Sequence, residues 1–339
     1  MKKTFILLGL FALLGAGSWW LLNNKSQDST IRSGDRDFAV KDLSTIQKIF
    51  IADRSGETTT LERQEGYWLF NGEYKARPNA MENLLDAIKR VDVNYVVARA
   101  AVENIVDDIA AHGIKVEIYN KANQLIKSYY IGGATNDELG TYMIMAGSNE
   151  PFVTHIPSWE GGLRTRFALK GNEWRDRSVF SEQVDDIVAV SVEYPKQRSK
   201  SFKLIKEGER YSIKPYYEIT PEIQRPLKAG AVEAFLIGFK NLQCEAFQNE
   251  HPDRDSISQQ LPFVNIKLKN KGEEQVEAQF HPIFLFDNEG DMVTDADVKG
   301  SDTAVERYYA VTNSGDFLLV QHRLFEKVFW GYPSFFEEG

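Results

Sequence analysis

The sequence predicts an α+β fold: two similar lobes of antiparallel sheet with packed helices, behind an N-terminal transmembrane helix. A chain of 339 residues exceeds the size at which one hydrophobic core usually stops growing, so two domains are expected. Each half alternates short patterns of period two with helical patterns. A phrase near the middle, residues 171–180, is echoed at the C-terminus, where Trp330 and Phe336 have the same spacing as Trp174 and Phe180.

Composition narrows the class of protein. With 42% hydrophobic and 26% charged residues, the chain has the balance of a folded globular protein. The net charge is −9 and no run of Lys and Arg is present, so no nucleic-acid partner is expected. A single cysteine, Cys244, excludes an intrachain disulfide and a cysteine metal cluster. We expect Cys244 to be a small buried residue on a helix.

Residues 1–22 are predicted to be a transmembrane anchor. An apolar run from Phe5 to Leu22 would be about 27 Å long as a helix, close to the roughly 30 Å of a bilayer's hydrocarbon core. A cleaved signal peptide is the alternative, but the apolar run continues through Trp19 and Trp20 past the small residues at 15–18, which favours the anchor.

The charges flanking this run set its orientation. Lys2 and Lys3 precede it, and the positive-inside rule leaves them in the cytoplasm. The rest of the chain is therefore expected in the periplasm or outside the cell, attached to the cytoplasmic membrane. Residues 23–37 are polar and are predicted to form a short tether.

The first lobe is predicted over residues 38–170. Pro78 stands where a helix would start, and apolar residues recur at three- and four-residue spacing as far as Val91. A second helical pattern begins near Val102 and stops at Gly113, which suits a helix C-cap. Strands are predicted around residues 46–51, 58–61, 67–70, 114–118, 125–131, 142–145 and 152–156.

After a connecting segment at 171–183, the second lobe (184–339) repeats this order. Ile187, Val190 and Val192 align with Ile46, Ile49 and Ile51, and the same offset in numbering aligns Phe202 with Leu61. The helix and the strand after it recur at a slightly larger offset, and the last strands at a larger one still. We interpret this as an internal duplication with an insertion in the second half. Chance agreement between periodic patterns is the alternative.

The residues closing the first half also carry a resemblance. The N-terminal span, the opening at Phe38, the Trp68 strand and the closing Trp174-Arg175-Asp176 with Phe180 resemble the family called domain of unknown function 4340. This family has many members with Tyr-Gly-Leu where this chain has His112-Gly113-Ile114. The resemblance implies a bacterial cell-envelope protein, often encoded beside ABC-transporter components of the gliding-motility type. It implies no activity, cofactor or functional residue.

No chemical motif predicts catalysis. The five histidines are scattered singly, so a zinc site is poorly supported. The loop beginning Gly132-Gly133 lacks the Gly-Lys-Ser/Thr ending of a phosphate-binding loop. The neighbouring carboxylates Asp107-Asp108 and Asp185-Asp186 are expected to be solvated. We therefore predict no catalytic, metal-binding or cofactor-binding residue.

The acidic segment from Asp287 to Asp297 is oxygen-rich and suggests calcium. Counted from Asp287, however, the sixth position of an EF-hand loop would be Met292 rather than glycine. A solvated hairpin tip is the favoured interpretation.

The Trp174-Arg175-Asp176 phrase has two interpretations. An exposed Trp beside Arg and Asp would suit a docking site. Alternatively, Trp174 fills the seam between the lobes while the two charged residues bind backbone groups. The aromatic run at the C-terminus likewise either packs on the second lobe or awaits a partner. The candidate interaction or seam residues are Trp174, Arg175, Asp176, Phe180, Trp330 and Phe335.

These observations predict a non-enzymatic binding or scaffold subunit of a membrane complex. The resemblance implies an ABC transporter or a gliding-related assembly as that complex, and the bilayer is contacted through Phe5 to Leu22. The alternative is an envelope hydrolase or carbohydrate-processing enzyme whose carboxylates converge only in the fold. A deep cleft holding a carboxyl pair, with one pKa raised, would favour it.

Overall fold

The computed structural model describes residues 33–284 and 305–338. The chain divides into two compact units, unit 1 ending at Asp176 and unit 2 beginning at Arg177. The predicted anchor and the acidic segment from Asp287 to Asp297 lie outside the described residues. Among those described, none of the helices has the length and apolar character needed to cross a membrane.

Unit 1 is built on one nine-stranded sheet in which all neighbouring strands are antiparallel. The strands are β1 (Lys48–Ala52), β2 (Thr58–Arg63), β3 (Trp68–Phe70), β4 (Tyr74–Lys75), β5 (Asp92–Val96), β6 (Ile114–Tyr119), β7 (Leu125–Ala134), β8 (Thr141–Met145) and β9 (Phe152–His155). Their order across the sheet is β4-β3-β2-β1-β6-β7-β8-β9-β5. The predicted strands are confirmed, whereas the edge strands β4 and β5 were not predicted.

Helix α1 (Pro78–Arg90) packs its apolar stripe into the core of unit 1. Pro78 occupies one of the first two helical positions, where its missing N–H costs nothing. Leu84 and Ile88, four residues apart, are fully buried. The C-terminal end of α1 also holds the start of the described chain, because the Val40 N–H donates to the Ile88 carbonyl at 3.0 Å.

Helix α2 (Arg99–His112) packs against β7. Ile131 points into the core, so its neighbour Gly132 faces the other side of the sheet. A Cβ on Gly132 would lie 2.6 Å from Ile109 Cγ1, and glycine is therefore what lets α2 approach the strand. The prediction that α2 ends at Gly113 is confirmed, although Gly113 has a φ of −66° and is not a left-handed cap.

Unit 2 contains an eight-stranded antiparallel sheet and a separate pair of strands. The strands are β10 (Ser178–Phe180), β11 (Ile187–Glu193), β12 (Phe202–Glu207), β13 (Arg210–Pro215), β14 (Leu242–Gln243), β15 (Ala246–Phe247), β16 (Val264–Asn270), β17 (Gln275–Ile283), β18 (Arg307–Thr312) and β19 (Phe317–Gln321). The helices are α3 (Ala231–Ile237), α4 (Arg254–Ser258) and α5 (His322–Phe325). Both units are thus mostly antiparallel sheet with a few helices, an α+β fold.

The two sheets share one strand order. In unit 2 it is β13-β12-β11-β16-β17-β18-β19-β15, which matches β3-β2-β1-β6-β7-β8-β9-β5. The register agrees too, since Ile51 pairs with Val116 and Val192 pairs with Ile266. These pairs reproduce the alignment that the sequence predicted for β11 and β16 with β1 and β6.

Two sequence predictions are corrected here. Leu61 pairs with Ile49, and its counterpart opposite Val190 is Leu204, so Phe202 was aligned two residues out of place. The alternating pattern of β12 fits either register, which explains the error. Cys244 is buried as predicted, but it lies between β14 and β15 and not on a helix.

His281 occupies the place in unit 2 that Gly132 holds in unit 1. Phe280 points into the core of its unit as Ile131 does, and His281 is the next residue. The helix that precedes β16, as α2 precedes β6, is α4, which has only five residues, and His281 is 4% exposed. Its Nε2 has no hydrogen-bond partner among the described residues, and burial lowers the pKa of His281.

The close approach of α2 to β7 predicts different outcomes at two adjacent glycines. Gly132→Ala places a methyl group against Ile109 and should lower the free energy of unfolding by about 1–2 kcal/mol. Gly133→Ala is the matched control, because its Cβ would meet only Asp108 Oδ2 at 3.8 Å. Urea denaturation measures both changes. Equal stabilities of the two variants would contradict the account of this contact.

Candidate functional site

A cleft of about 120 Å³ opens in unit 1 beside the turn between β1 and β2. Its apolar wall includes Ile51, Ile114 and Phe167, and its charged residues include Asp53 and Lys170. The full lining is Ile51, Asp53, Glu57, Thr59, Ile114, Arg164, Phe167, Ala168, Leu169 and Lys170. An apolar wall with a few charged groups is the usual composition of a small binding site.

The β1–β2 turn positions the two carboxylates. Asp53 Oδ1 accepts the Ser55 N–H at 2.9 Å, an arrangement typical of Asp at the start of a turn. The Asp53 N–H donates to the Glu57 carbonyl at 3.1 Å, closing the hairpin loop. Gly56 adopts a φ of +89°, which an L side chain rarely tolerates. The turn therefore presents Asp53 and Glu57 on the same side of the cleft.

Lys170 joins the two carboxylates across the cleft. Its ammonium forms an ion pair with Asp53, and Glu57 Oε2 lies 3.7 Å away. The Lys170 N–H donates to Glu173 Oε2 at 2.8 Å, which fixes the backbone from which the side chain extends. Asp53 and Lys170 are 117 residues apart in the chain, so only the fold brings them together.

The electrostatics keep these groups ionised. Hydrogen bonds from Lys170, and then from Ser55, lower the pKa of Asp53 to about 2. The hydrogen bond to Asp53 raises the pKa of Lys170. A general acid or base works best with a pKa near the operating pH, and both shifts move away from it. Neither shift brings Asp53 or Lys170 towards the pKa of a general acid or base that works near neutral pH.

The side chain of Arg164, although it lines the cleft, has a structural role. Its guanidinium donates to the carbonyls of Ile131 and Gly132 at 3.0 Å each and to the His112 carbonyl at 2.7 Å. It thereby ties the end of α2 to β7. Among the described residues, no group of three His, Cys, Asp or Glu side chains is arranged to hold a metal ion.

Trp174, Arg175 and Asp176, which we call the WRD strap, continue the chain from the cleft and pair with the edge of the sheet. The Arg77 N–H donates to the Trp174 carbonyl at 2.7 Å, and the Asp176 N–H donates to the Lys75 carbonyl at 2.7 Å. Ala76 and Arg175 form the bridge between them. The strap thus covers the edge of the sheet next to β4.

The side chains of the strap are buried or ion-paired. Trp174 is fully buried in the core of unit 1, and its Nε1–H donates to the Leu169 carbonyl at 2.8 Å. The Arg175 guanidinium lies 3.6 Å from the centroid of the Tyr74 ring, and Asp176 pairs with Lys75 at 3.5 Å. No exposed Trp174 is present for docking. The seam interpretation remains a prediction.

The closing segment of unit 2 makes the same pattern of backbone hydrogen bonds as the WRD strap, but it does so with residues other than those that the sequence analysis aligned with the strap. The Lys228 N–H donates to the Phe335 carbonyl at 2.8 Å, and the Glu337 N–H donates to the Pro226 carbonyl at 3.0 Å. Leu227 and Phe336 form the bridge. The counterpart of Trp174 is therefore Phe335.

The predicted equivalence of Trp330 and Trp174 in the two units is thus wrong. Backbone hydrogen bonds decide which residues of the two units are equivalent, whereas the sequence pattern matched residues of the same type. Trp330 instead packs its ring on Phe235 and Phe335, with centroids 5.8 and 5.1 Å apart. The C-terminal aromatic run packs on the core of unit 2, which is the first of the two interpretations of that run.

Phe180 belongs to the core of unit 2. It lies on β10, and its ring meets Phe239 edge to face at 5.3 Å. Its predicted equivalence to Phe336 is also wrong, because Phe336 stands where Arg175 does.

Two residues that line the cleft of unit 1 have larger, buried counterparts in unit 2. Thr59 pairs with Ile51, and its counterpart opposite Val192 is Phe202. Phe202 is fully buried and its ring lies 4.9 Å from that of Phe335. Tyr194, two residues after Val192, stands in the place of Asp53 and is also buried.

The neighbouring carboxylates singled out in the sequence lie on the surface, as predicted. Asp107, Asp108, Asp185 and Asp186 are all exposed. Asp108 pairs with His112 within α2 at 3.0 Å. Sequence reasoning missed Asp53, Glu57 and Lys170, because nothing in the local sequence distinguishes them from other turn residues.

The ion pair in the cleft predicts a pH-dependent contribution to stability. The folded-state pKa of Asp53 is about 2, below the roughly 3.9 of an unfolded chain, so its stabilisation is present above pH 4 and is lost as the pH falls towards 2. Asp53→Asn should therefore destabilise the protein at pH 5 and have little effect near pH 2. Glu218→Gln, at an exposed site, is the control. Urea denaturation across this range gives the measurement, and a deficit in Asp53→Asn that does not vary with pH would contradict the assignment.

The comparisons with known proteins agree with the resemblance seen in the sequence. No curated protein and no solved structure matches the chain. The family model described as domain of unknown function DUF4340 matches residues 68–260. The match runs from β3, through the WRD strap and into unit 2, and it covers more than half of the 339 residues. The chain therefore belongs to the DUF4340 family.

Proposed function

We propose that this protein is a binding or scaffold subunit that works outside the cytoplasmic membrane as part of a membrane complex. The apolar run from Phe5 to Leu22 would anchor it, with one span and with the bulk of the chain in the periplasm or outside the cell. An ABC transporter or a gliding-related assembly is the complex that the family resemblance favours.

The observation that carries the proposal is the charge state of the cleft. The pKa of Asp53 is lowered to about 2 and that of Lys170 is raised, so neither side chain exchanges a proton near neutral pH. The hydrolase alternative needs a carboxyl group with a raised pKa. The shift at Asp53 goes in the opposite direction and supports recognition over acid catalysis.

We also propose that the two units arose by internal duplication. The shared strand order, the matching registers and the two closing segments at Trp174 and Phe335 support this. On this proposal unit 1 kept the open cleft, and unit 2 became a packing module with Phe202 in the place of Thr59.

Affinity purification from gently solubilised membranes tests the scaffold proposal. The full chain, tagged at its C-terminus, should fractionate with membranes and bring down integral subunits of a transporter in fixed stoichiometry. Asp53→Asn/Lys170→Met, which removes the ion pair, should keep the membrane attachment and lower the recovery of a subunit bound through the cleft. Mass spectrometry of the purified chain should find residues 1–22 attached.

Two results would contradict the proposal. A chain that is recovered alone from the soluble fraction, with its N-terminus near Trp19, would remove the anchor. A chain recovered alone with a saccharide in the unit 1 cleft would favour the hydrolase.

A further inference from the structure

A second charged surface of unit 1, separate from the cleft, lies at the C-terminal end of α1. An open groove of about 350 Å³ is lined by Lys41, Lys89, Arg90, Asp92 and Pro157, and we call it the basic groove. Three of its five lining residues are cations.

Two of these cations lack a close ion pair, although the Asp92 carboxylate shares the groove and Lys89 attracts the Asp42 carboxylate electrostatically. Among the described residues, neither Lys41 nor Lys89 has a carboxylate within ion-pair distance. Within the same part of the chain, Lys41 Nζ donates only to the Lys89 carbonyl, at 3.4 Å. The neighbouring Asp42 directs its carboxylate to Ser44, at 2.9 Å from the Ser44 N–H. Lys41 and Lys89 therefore keep donors for an anion.

The helix end accounts for part of this arrangement. Lys89 and Arg90 lie in the last turn of α1, where cations complement the negative end of the helix dipole. That end carries only about half an elementary charge, and Lys41 comes from a different segment of the chain. Lys41 is therefore a cation that the helix end does not require.

An exposed tryptophan stands beside the groove. The Arg90 guanidinium donates to the Pro157 carbonyl at 2.9 Å, and Trp159, two residues further on, is 37% exposed. Arg166 lies 4.6 Å from the centroid of the Trp159 ring and pairs with Asp86 at 2.7 Å. Asp86 also pairs with Arg90 at 3.3 Å. Tryptophan is enriched where proteins meet the headgroup layer of a membrane, because its ring is apolar and its N–H is polar.

The position of the groove in the sequence indicates which membrane it would contact. The described chain begins at Ser33, eight residues before Lys41, and Val40 is hydrogen-bonded to the end of α1. Lys41 lies nineteen residues after Leu22, a stretch that can span at most about 68 Å. The groove is therefore held within reach of the bilayer that the apolar run would enter.

We infer that the basic groove and Trp159 form a membrane-contacting surface that binds the phosphate groups of anionic phospholipids. Lys41 and Lys89 would donate to the phosphate oxygens, while Trp159 would lie among the headgroups. Each lysine near an anionic surface adds attraction that salt screens. The contact would fix the orientation of unit 1 above the membrane, and it rests on the proposed anchor.

Lysine labelling of the full chain in lipid nanodiscs tests this inference. Lys41 and Lys89 should react with an amine-specific reagent about threefold or more slowly in nanodiscs containing phosphatidylglycerol than in nanodiscs of phosphatidylcholine alone. The bound phosphate would cover each amine and would also stabilise its charged form, which is the unreactive one. Lys214 and Lys269 of unit 2, exposed and without an ion pair among the described residues, are the internal controls. High salt should abolish the difference, and Trp159→Ala should reduce it.

Each other outcome has a defined meaning. Equal labelling of Lys41 and Lys89 in the two lipids would overturn the inference. If millimolar inorganic phosphate slows the labelling of Lys41 and Lys89 in phosphatidylcholine nanodiscs as much as phosphatidylglycerol does, the ligand of the groove is a soluble anion and the lipid assignment is overturned. If the chain does not enter nanodiscs, the anchor proposal fails. In that case slower labelling on adding phosphatidylglycerol vesicles would still support the groove, and unchanged labelling would overturn it.

Discussion

The structure of unit 1 depends on the pairing of the WRD strap with the edge of the sheet. Two backbone hydrogen bonds, from Arg77 to Trp174 and from Asp176 to Lys75, satisfy groups that an open edge would leave to water or to another chain. The buried indole of Trp174 fastens the segment leading to Lys170 through its bond to Leu169. The strap therefore completes the sheet and also fixes the segment Phe167 to Lys170, which forms one wall of the cleft.

Unit 2 shows which parts of this arrangement the fold requires. Its closing segment makes the same two backbone bonds, with Phe335 in the place of Trp174 and Glu337 in the place of Asp176. A large aromatic residue is kept at the buried position, and an acid follows it. The cation–π contact of Arg175 is not kept, since Phe336 stands there. Backbone pairing and aromatic burial are thus the shared constraint, whereas the ion pair of Asp53 with Lys170 is not shared, since the buried Tyr194 stands in the place of Asp53.

Local sequence patterns predicted the main helices and the central strands, but they did not predict contacts between residues that lie far apart in the chain. Pro78 and the spacing of buried residues along α1 gave that helix, and alternation gave the central strands. The register of the closing segments was missed, because Trp330 resembles Trp174 in type but not in hydrogen bonding. The ion pair of Asp53 with Lys170 left no local signal, since 117 residues separate its members. His281 is buried where unit 1 has a glycine, and it likewise left no local signal in the sequence.

The most direct test of the central claim is native-state hydrogen exchange at the amides of Arg77 and Asp176. If the strap is part of the cooperative core, these amides exchange with the same opening free energy as the amide of Val116 in the central strand β6, and Trp174→Phe lowers all three together. Exchange of Arg77 and Asp176 through a low-energy local opening, with Val116 still protected, would show that the sheet does not depend on its strap and would contradict the account.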